Sequence, residues 1–491
     1  MNSGSSDARI GYRRELERQG PVSVQTKLFY ASGELPGAYM NLAIGGFILM
    51  YYNQILGASA AQVSMALGLA LLFDAISDPL VGAFSDRFKS RLGRRHPLMY
   101  AASLPMGLFI SLLFSPPSEL EGMELMAWVF TFLVLTRLTF TIFSVPWSAL
   151  IAEFSDDYAE RTVIASYRIL IGALLGGLSA SLIWNFWFVA TSEFPQGQLN
   201  PDNYNFFGPL IGCLMTLWAL ISTHFTRNEI PYLLNPVEKT SASLPAMFSL
   251  IYSALRSANY RVVLVSMLIY FGIVGTLGQF DIYVNTYFWE LNNEQLGKLQ
   301  LFGVIAPVLG FVLAPVLQKR FEKQHILCFV LLVQMILSMA VVLFRLGDFF
   351  PSNESPLFLP VLACFSIAGG FLGVIGAMVV FSMTADLADE QEYRFGTRQE
   401  GVLASGIAFS TKAVGSLGVV IAGFLLEYFI GFPAGQAARE IDPEVLFRLA
   451  ITDGVIVNAF ILIPAVLIGR YSLSRESMGN IQSELRSRRA A

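Results

Sequence analysis

The chain has 491 residues, of which 54% are apolar and only 14% charged, with 40 phenylalanines and a formal net charge of −4. A soluble domain carries about 25% charged residues to keep its surface wet, so a water-soluble chain of this size is excluded. The slight acidity also excludes a nucleic-acid binder, which needs a basic field for phosphates, and Cys213, Cys328 and Cys364 sit inside apolar runs with neither metal-ligand spacing nor a disulfide framework.

Residues 1–26 are polar, carry Arg9, Arg13, Arg14 and Arg18, and read as a tail rather than a cleavable signal. Apolar stretches of about 20 residues, the length that crosses the hydrocarbon core as a helix, then follow. They lie near 30–55, 60–84, 98–115, 124–152, 163–190, 205–224, 262–289, 296–318, 325–345, 357–383, 401–430 and 449–470. The expected fold is therefore all-α and polytopic, with twelve transmembrane helices. The longest polar interruption, 225–261, contains Pro231, Pro236 and a Lys-Thr-Ser-Ala-Ser run. It reads as a linker between two six-helix bundles, 27–224 and 262–470, with 471–491 as a second tail. A faint repeat supports the duplication. Ser148 to Glu153, then Asp156, Asp157 and Arg161, closes span four; Ser382 to Asp386, then Asp389, Glu390 and Arg398, closes span ten. The tails and the connections on their side hold 26 of the 32 Lys and Arg. The positive-inside rule then places both termini in the cytoplasm.

Charge within a span is expensive and so marks function. Span two carries Asp74, Ser77 and Asp78, followed by Pro79. The two carboxylates are one helical turn apart, on one face. Their repulsion would be relieved by a monovalent cation or a shared proton, and Pro79 frees a backbone carbonyl as a further oxygen ligand. Helix capping or gate pairing is the structural alternative for this pair. Span four places Thr141, Ser144 and Ser148 in one stripe around Pro146, with Trp147 offering a flat face for a sugar ring, and it also holds Arg137, whose partner the sequence does not identify. In span eleven, Lys412 lies too deep to snorkel and needs a carboxylate, for which the span-two pair is the natural choice across the bundle. Glu34, Asp281, Glu290, Glu427 and Asp453 lie nearer span ends and are expected to meet water. Glu153, Arg161, Asp386, Asp389 and Arg398 gather at equivalent ends of spans four and ten, and their pairing is expected to form a cytoplasmic gate.

These residues resemble a known family. Asp74-Ala-Ile-Ser-Asp78-Pro79-Leu-Val-Gly82, then Ser85-Asp86-Arg87 and Arg91-Leu-Gly93-Arg94-Arg95, is similar to the span-two signature of the glycoside–pentoside–hexuronide:cation symporters. The likeness to this melibiose-permease-like branch of the major facilitator superfamily continues through Val145-Pro146-Trp147-Ser148, Glu160-Arg161-Thr162, Tyr167-Arg168, Ser382 to Asp386, and Arg398 through Lys412. It implies two pseudo-symmetric six-helix bundles and alternating access. It also implies a cation site of Asp74, Ser77, Asp78 and Thr141, and substrate contacts from Ser144, Trp147, Arg168 and Lys412. The melibiose carriers bind sugar hydroxyls with acidic residues on spans one and four, where this chain has Ala38 and Ser144.

The function expected from this reading is symport, coupled to Na⁺ or H⁺, of a sugar, glycoside or similar small organic solute. The protein is expected to be a monomer in the plasma membrane, touching membrane lipid and no nucleic acid, with no cofactor beyond the coupling ion. The alternative of the same fold is a cation-coupled lysolipid carrier, as in animal members of the branch. An intramembrane aspartyl protease is the remote alternative from another class. That chemistry needs its two aspartates on facing helices, whereas Asp74 and Asp78 share one turn.

Overall fold

The first membrane helix opens at Ser23, whose hydroxyl accepts the Thr26 amide at 3.1 Å and satisfies one of the amides that a helix start leaves unpaired. It runs as α1 (Val24–Ser32), breaks at Gly33 and Glu34, and resumes as α2 (Leu35–Met40) with Pro36 in its first turn. A π-helical stretch Asn41–Phe47, the short α3 (Ile48–Met50) and a second π-helical stretch Tyr51–Ile55 complete the crossing. The computed structural model describes residues 12–13, 16, 18, 20–88, 90–155, 157–233, 235–236, 255–395, 400–435 and 441–490.

Among the described residues, eleven further helices are long and apolar enough to cross a membrane. With the segmented first crossing they make the twelve expected. In the first half these are α4 (Ala60–Arg87), α5 (His96–Leu113), α6 (Gly122–Phe154), α7 (Tyr158–Phe186) and α8 (Phe207–Thr226). The second half begins with α9 (Ala258–Tyr283), continued by a π turn Val284–Phe288, and then α10 (Asn293–Gly303) with α11 (Ile305–Arg320) as one crossing. It continues through α12 (Lys323–Leu346), α13 (Phe358–Phe395), and α14 (Glu400–Phe424) with its π turn Leu425–Ile430. The last crossing is α15 (Pro443–Ile451), a π stretch Thr452–Val457 and α16 (Leu462–Ile468). Large apolar side chains such as Val312, Phe329 and Phe381 point outward, as lipid-facing positions do.

Within each half, α5 packs against α6 and α8, and α13 packs against α11 and α12. Two seams join the halves, α4 against α14 and α7 against α10. The first seam is backbone-close. A Cβ at Gly68 would lie 2.3 Å from Val420 Cγ2, and one at Gly423 would lie 2.3 Å from the Ser64 Cβ. Small residues allow such an approach, and without a hydrophobic drive between helices in lipid, that close packing is what holds them.

At the end opposite the chain termini, polar bonds cross between the halves. Tyr283 donates to Asn53 Oδ1 at 2.9 Å and Tyr287 donates to Gln54 Oε1 at 3.1 Å, while Gln54 donates to the Pro433 carbonyl at 2.9 Å. Glu427 accepts from the Ser59 hydroxyl at 2.5 Å and the Ala61 amide at 2.9 Å. A carboxylate from one half thus caps the positive N-terminus of α4 in the other half. The π turns carry these contacts: Asn53 and Gln54, Tyr287, and Glu427 each sit in one. A π turn widens the helix and re-aims its side chains, and such turns recur at functional places.

The described parts of both tails are held against the bundle. Arg18 pairs with Glu229, and Tyr12–Arg13 forms a two-residue antiparallel pair with Asn235–Pro236. Residues 475–490 form a helix, α17 (Arg475–Ala490). Arg475 donates to the carbonyls of Gln318, Lys319 and Phe321, which the end of α11 leaves unpaired. Residues 237–254 of the expected linker lie outside the described residues.

Replacing Gly423 with Leu should force α4 and α14 apart where the backbones now touch. Spin labels at the exposed positions Leu56 and Tyr428 should report a longer and broader distance distribution in that variant. An unchanged distribution would show that the glycine seam does not hold this end closed.

Candidate functional site

Four side chains meet at mid-depth on three helices. Asp74 and Asp78 project from one face of α4, Thr141 from α6 and Lys412 from α14. The Lys412 ammonium contacts Asp78 Oδ2 and lies 3.2 Å from Asp74 Oδ2. The Thr141 hydroxyl is 2.8 Å from Asp74 Oδ1 and 3.0 Å from Asp78 Oδ1. A hydroxyl has one proton to donate, so one of these two oxygen contacts always lacks a hydrogen between its atoms. A positive species among the three oxygens relieves that repulsion. Pro79 adds an acceptor nearby, because it cannot donate to the Ala75 carbonyl one turn back.

The fifth member is Arg137, one turn before Thr141 on α6. Its guanidinium lies 3.6 Å from Asp74 Oδ2, which supplies the partner that the sequence left unassigned. The two carboxylates are unequal. Asp74 has a side chain only 8% exposed and is flanked by two cations, whereas Asp78 is 29% exposed and meets Lys412 alone. Ser77 is buried, and its hydroxyl donates to the Asp74 carbonyl at 3.2 Å within its own helix. Of the four residues expected at the cation site, Asp74, Asp78 and Thr141 converge, and Ser77 enters only through its free lone pairs.

A second polar cluster lies on α1–α2, α6 and α7. Arg168 pairs through Nε with Glu34, and its guanidinium sits 4.4 Å above the Trp147 ring. The Trp147 indole donates to the Tyr30 carbonyl at 3.0 Å and stacks on the Tyr30 ring at 5.2 Å. Trp147 is 3% exposed. The expectation of an open indole platform for a sugar ring is therefore corrected: Tyr30 and Arg168 cover it, and its role here is a pedestal that holds Arg168 by cation–π attraction. The group that reaches the cleft is Glu34, which sequence reasoning placed among span-end residues. Its signal is the small residue opposite, since a Cβ at Gly172 would lie 2.7 Å from Glu34 Cγ. Glu34 and Arg168 are each about one-third exposed, as is Asp78, and Lys412 is 41% exposed. Charged side chains this open at the core of a membrane bundle face a wet cleft rather than lipid. Ser144 is half-buried, one turn along α6 from Thr141.

The residues expected to form a gate pair within their own halves in this conformation. Glu153 accepts from Arg94 at 2.7 Å and from Arg95 Nε at 2.9 Å, and Arg95 also meets Asp86 at 2.6 Å. Asp386 pairs with Lys323 at 2.5 Å, and Asp389 accepts from Gln482 at 3.0 Å. Arg161 donates to the Ser155 and Ala152 carbonyls, closing the end of α6. The cross-half pairing expected of Glu153, Arg161, Asp386 and Asp389 is thus replaced by local partners that are nearer in each bundle. Arg398 and Asp156 lie outside the described residues.

A family model described as MFS/sugar transport protein matches residues 29–475. An uncharacterized symporter of Bacillus subtilis (strain 168), YnaJ, is 27% identical over 478 residues, covering 95% of this chain and 96% of the relative. A putative glycoside/cation symporter of Escherichia coli (strain K12), YagG, is 21% identical over 96% of each chain. Among solved structures, a bacterial homologue of the human lysosomal transporter Spinster, inward-facing and unoccupied, superposes with a TM-score of 0.61 at 14% identity, covering 91% of this chain and 95% of that one.

Removing one partner of a buried ion pair leaves an uncompensated charge and costs about 3–5 kcal/mol. Asp74→Asn leaves the buried Arg137 guanidinium without the carboxylate that lies within 4 Å of it, so it should lower stability by an amount of that order. Asp78→Asn, at a wetter position, should lower it by distinctly less. Denaturant unfolding of the two variants in detergent measures the difference, and equal losses would show that the site is not divided into a dry and a wet carboxylate.

Proposed function

This chain belongs to the MFS/sugar transport protein family, and from that premise we propose that it carries an uncharged glycoside across the plasma membrane together with Na⁺ or H⁺. It is a transporter, not an enzyme. The observation that carries the proposal is the contact of Lys412 with Asp74 and Asp78. It joins the two halves at mid-depth through charge, where a cation competes for the same oxygens.

The physical sequence follows from that competition. An ammonium deep in a span costs roughly 3 kcal/mol unless it is paired, so Lys412 stays on the carboxylates while nothing else neutralises them. A coupling cation at Asp78, Thr141 and Asp74 takes over that neutralisation and releases Lys412 toward the cleft. A freed ammonium has three N–H donors for substrate hydroxyls. Cation and substrate therefore favour the same state, and each raises the affinity of the other, which is thermodynamic linkage. Once this contact loosens, the halves, 27–224 and 262–470, would rock about the seam of α4 and α14, with Glu427, Tyr283 and Tyr287 closing the external end. Glu153, Asp386 and their partners would stand apart at the cytoplasmic end, and the basic excess on the side of the termini supports that orientation.

Glu34 and Arg168 support the substrate class. Side by side they sum to zero charge and offer both donors and acceptors, which suits vicinal hydroxyls. Glu34 supplies a span-one carboxylate where Ala38 has none. Ser144 remains a hydroxyl contact on α6.

Uptake by proteoliposomes of a panel of methyl glycosides, glucuronides and a lysophosphatidylcholine, with imposed Na⁺ or H⁺ gradients, tests the proposal. Gradient-driven accumulation of a neutral glycoside is expected. Accumulation of the lysolipid alone would replace the sugar reading with the amphiphile one. In Lys412→Gln, the ratio of substrate affinities with and without cation should fall toward one, with a smaller change in melting temperature. An unchanged ratio alongside a collapsed melting temperature would make the lysine structural.

A further inference from the structure

We propose that Arg137 is a resident counter-ion for Asp74, so that the site takes up one monovalent cation per cycle and Asp78 is the carboxylate that this cation neutralises. The inference rests on reading Asp74 and Asp78 as the cation site.

Four full charges meet here, two carboxylates and two bases, and the bases differ in where they are anchored. Lys412 stands on α14 in the other half, at the end of a flexible four-carbon stem, with a side chain 41% exposed. Arg137 stands on α6 in the same half as both aspartates, four residues before Thr141, with a side chain 10% exposed. Any motion of one half against the other carries Lys412 away from the aspartates and leaves Arg137 beside them. A guanidinium keeps its charge at every accessible pH, so Arg137 does not cease to be a cation when its surroundings change.

The contact geometry divides the carboxylates in the same way. Arg137 and Lys412 both address Oδ2 of Asp74, at 3.6 and 3.2 Å. Withdrawal of Lys412 therefore leaves Asp74 still paired. Asp78 has Lys412 at Oδ2 and the Thr141 hydroxyl at Oδ1, and the same withdrawal leaves it, among the described residues, with no cation within 4 Å. Among the described residues, Asp74 is the carboxylate within 4 Å of Arg137, and the Arg137 Nε is buried without a hydrogen-bond partner. Asp78 acts on this guanidinium only from beyond that distance. With Lys412 gone, Asp74, Asp78 and Arg137 sum to −1. One monovalent cation restores neutrality, and a second would leave an uncompensated positive charge in a dry site.

Equivalents of cation bound by the purified full-length protein in detergent test this, using ²²Na⁺ equilibrium binding and a pH indicator for proton uptake. The wild type should bind one equivalent of Na⁺ or H⁺, and Asp78→Asn none. Arg137→Gln should bind two, because both carboxylates then need neutralising. The double variant Asp74→Asn/Arg137→Gln removes a neutral pair and should return to one. If Arg137→Gln does not fold, Arg137→Lys, which keeps the charge, should bind one, and the double variant completes the test. Two equivalents in the wild type, one in Arg137→Gln, or none in the double variant would overturn the role of Arg137 while leaving the cation site standing. A wild type that binds neither ion would overturn the cation-site reading and this inference together.

Discussion

One ammonium governs this molecule. Lys412 is the side chain that crosses between the halves at the depth where charge is least tolerated, and its contacts with Asp74 and Asp78 lower the cost of placing it there. An isolated lysine or an isolated aspartate pair at this depth would each oppose folding. Together they hold the halves in register, and they do so through an interaction that any competing cation weakens. Stability and responsiveness thus share one set of atoms. A hydrophobic contact in the same place would have held the halves equally well and responded to nothing.

The surrounding structure divides the labour. At the end away from the termini, Gly68 and Gly423 bring α4 and α14 to backbone contact, and Glu427 caps α4 from the opposite half. The helices that carry the aspartates and the lysine are therefore fastened at a second place along the same seam. Loosening the charged contact alone leaves the seam as a pivot. At the other end Glu153 and Asp386 are satisfied within their own bundles, so each half keeps its charges paired when the halves part. Arg137 follows the same rule at the centre, as a cation that moves with its carboxylate.

Much of this was readable from the order of residues. Span number follows from apolar length, because a helix has a fixed rise per residue and the hydrocarbon a fixed thickness. Asp74 and Asp78 share a face because four residues are close to one turn. The depth of Lys412 and the scarcity of partners for it made the span-two pair its natural partner, and the structure places them in contact. Trp147 and Glu34 show where that reasoning stops. The open face expected of Trp147 is covered, and Glu34 meets water as expected but its pairing with Arg168 was not legible, because the rotation of a helix about its axis, and the break at Gly33 and Glu34, do not follow from span length.

By itself, then, the sequence determined a membrane-spanning chain in two halves, a paired-carboxylate turn within one helix and a lysine that needed it. These depend on local periodicity and on the solvent, which act on each span separately. The tertiary structure decided the partner of Arg137, the covering of Trp147 by Tyr30 and Arg168, the pairing of Glu34 with Arg168, and the capping of α4 by Glu427. Each of these joins side chains on different helices. Helix tilt and rotation in a bilayer are set by packing against neighbours rather than by hydropathy, so which faces meet is a property of the assembled bundle.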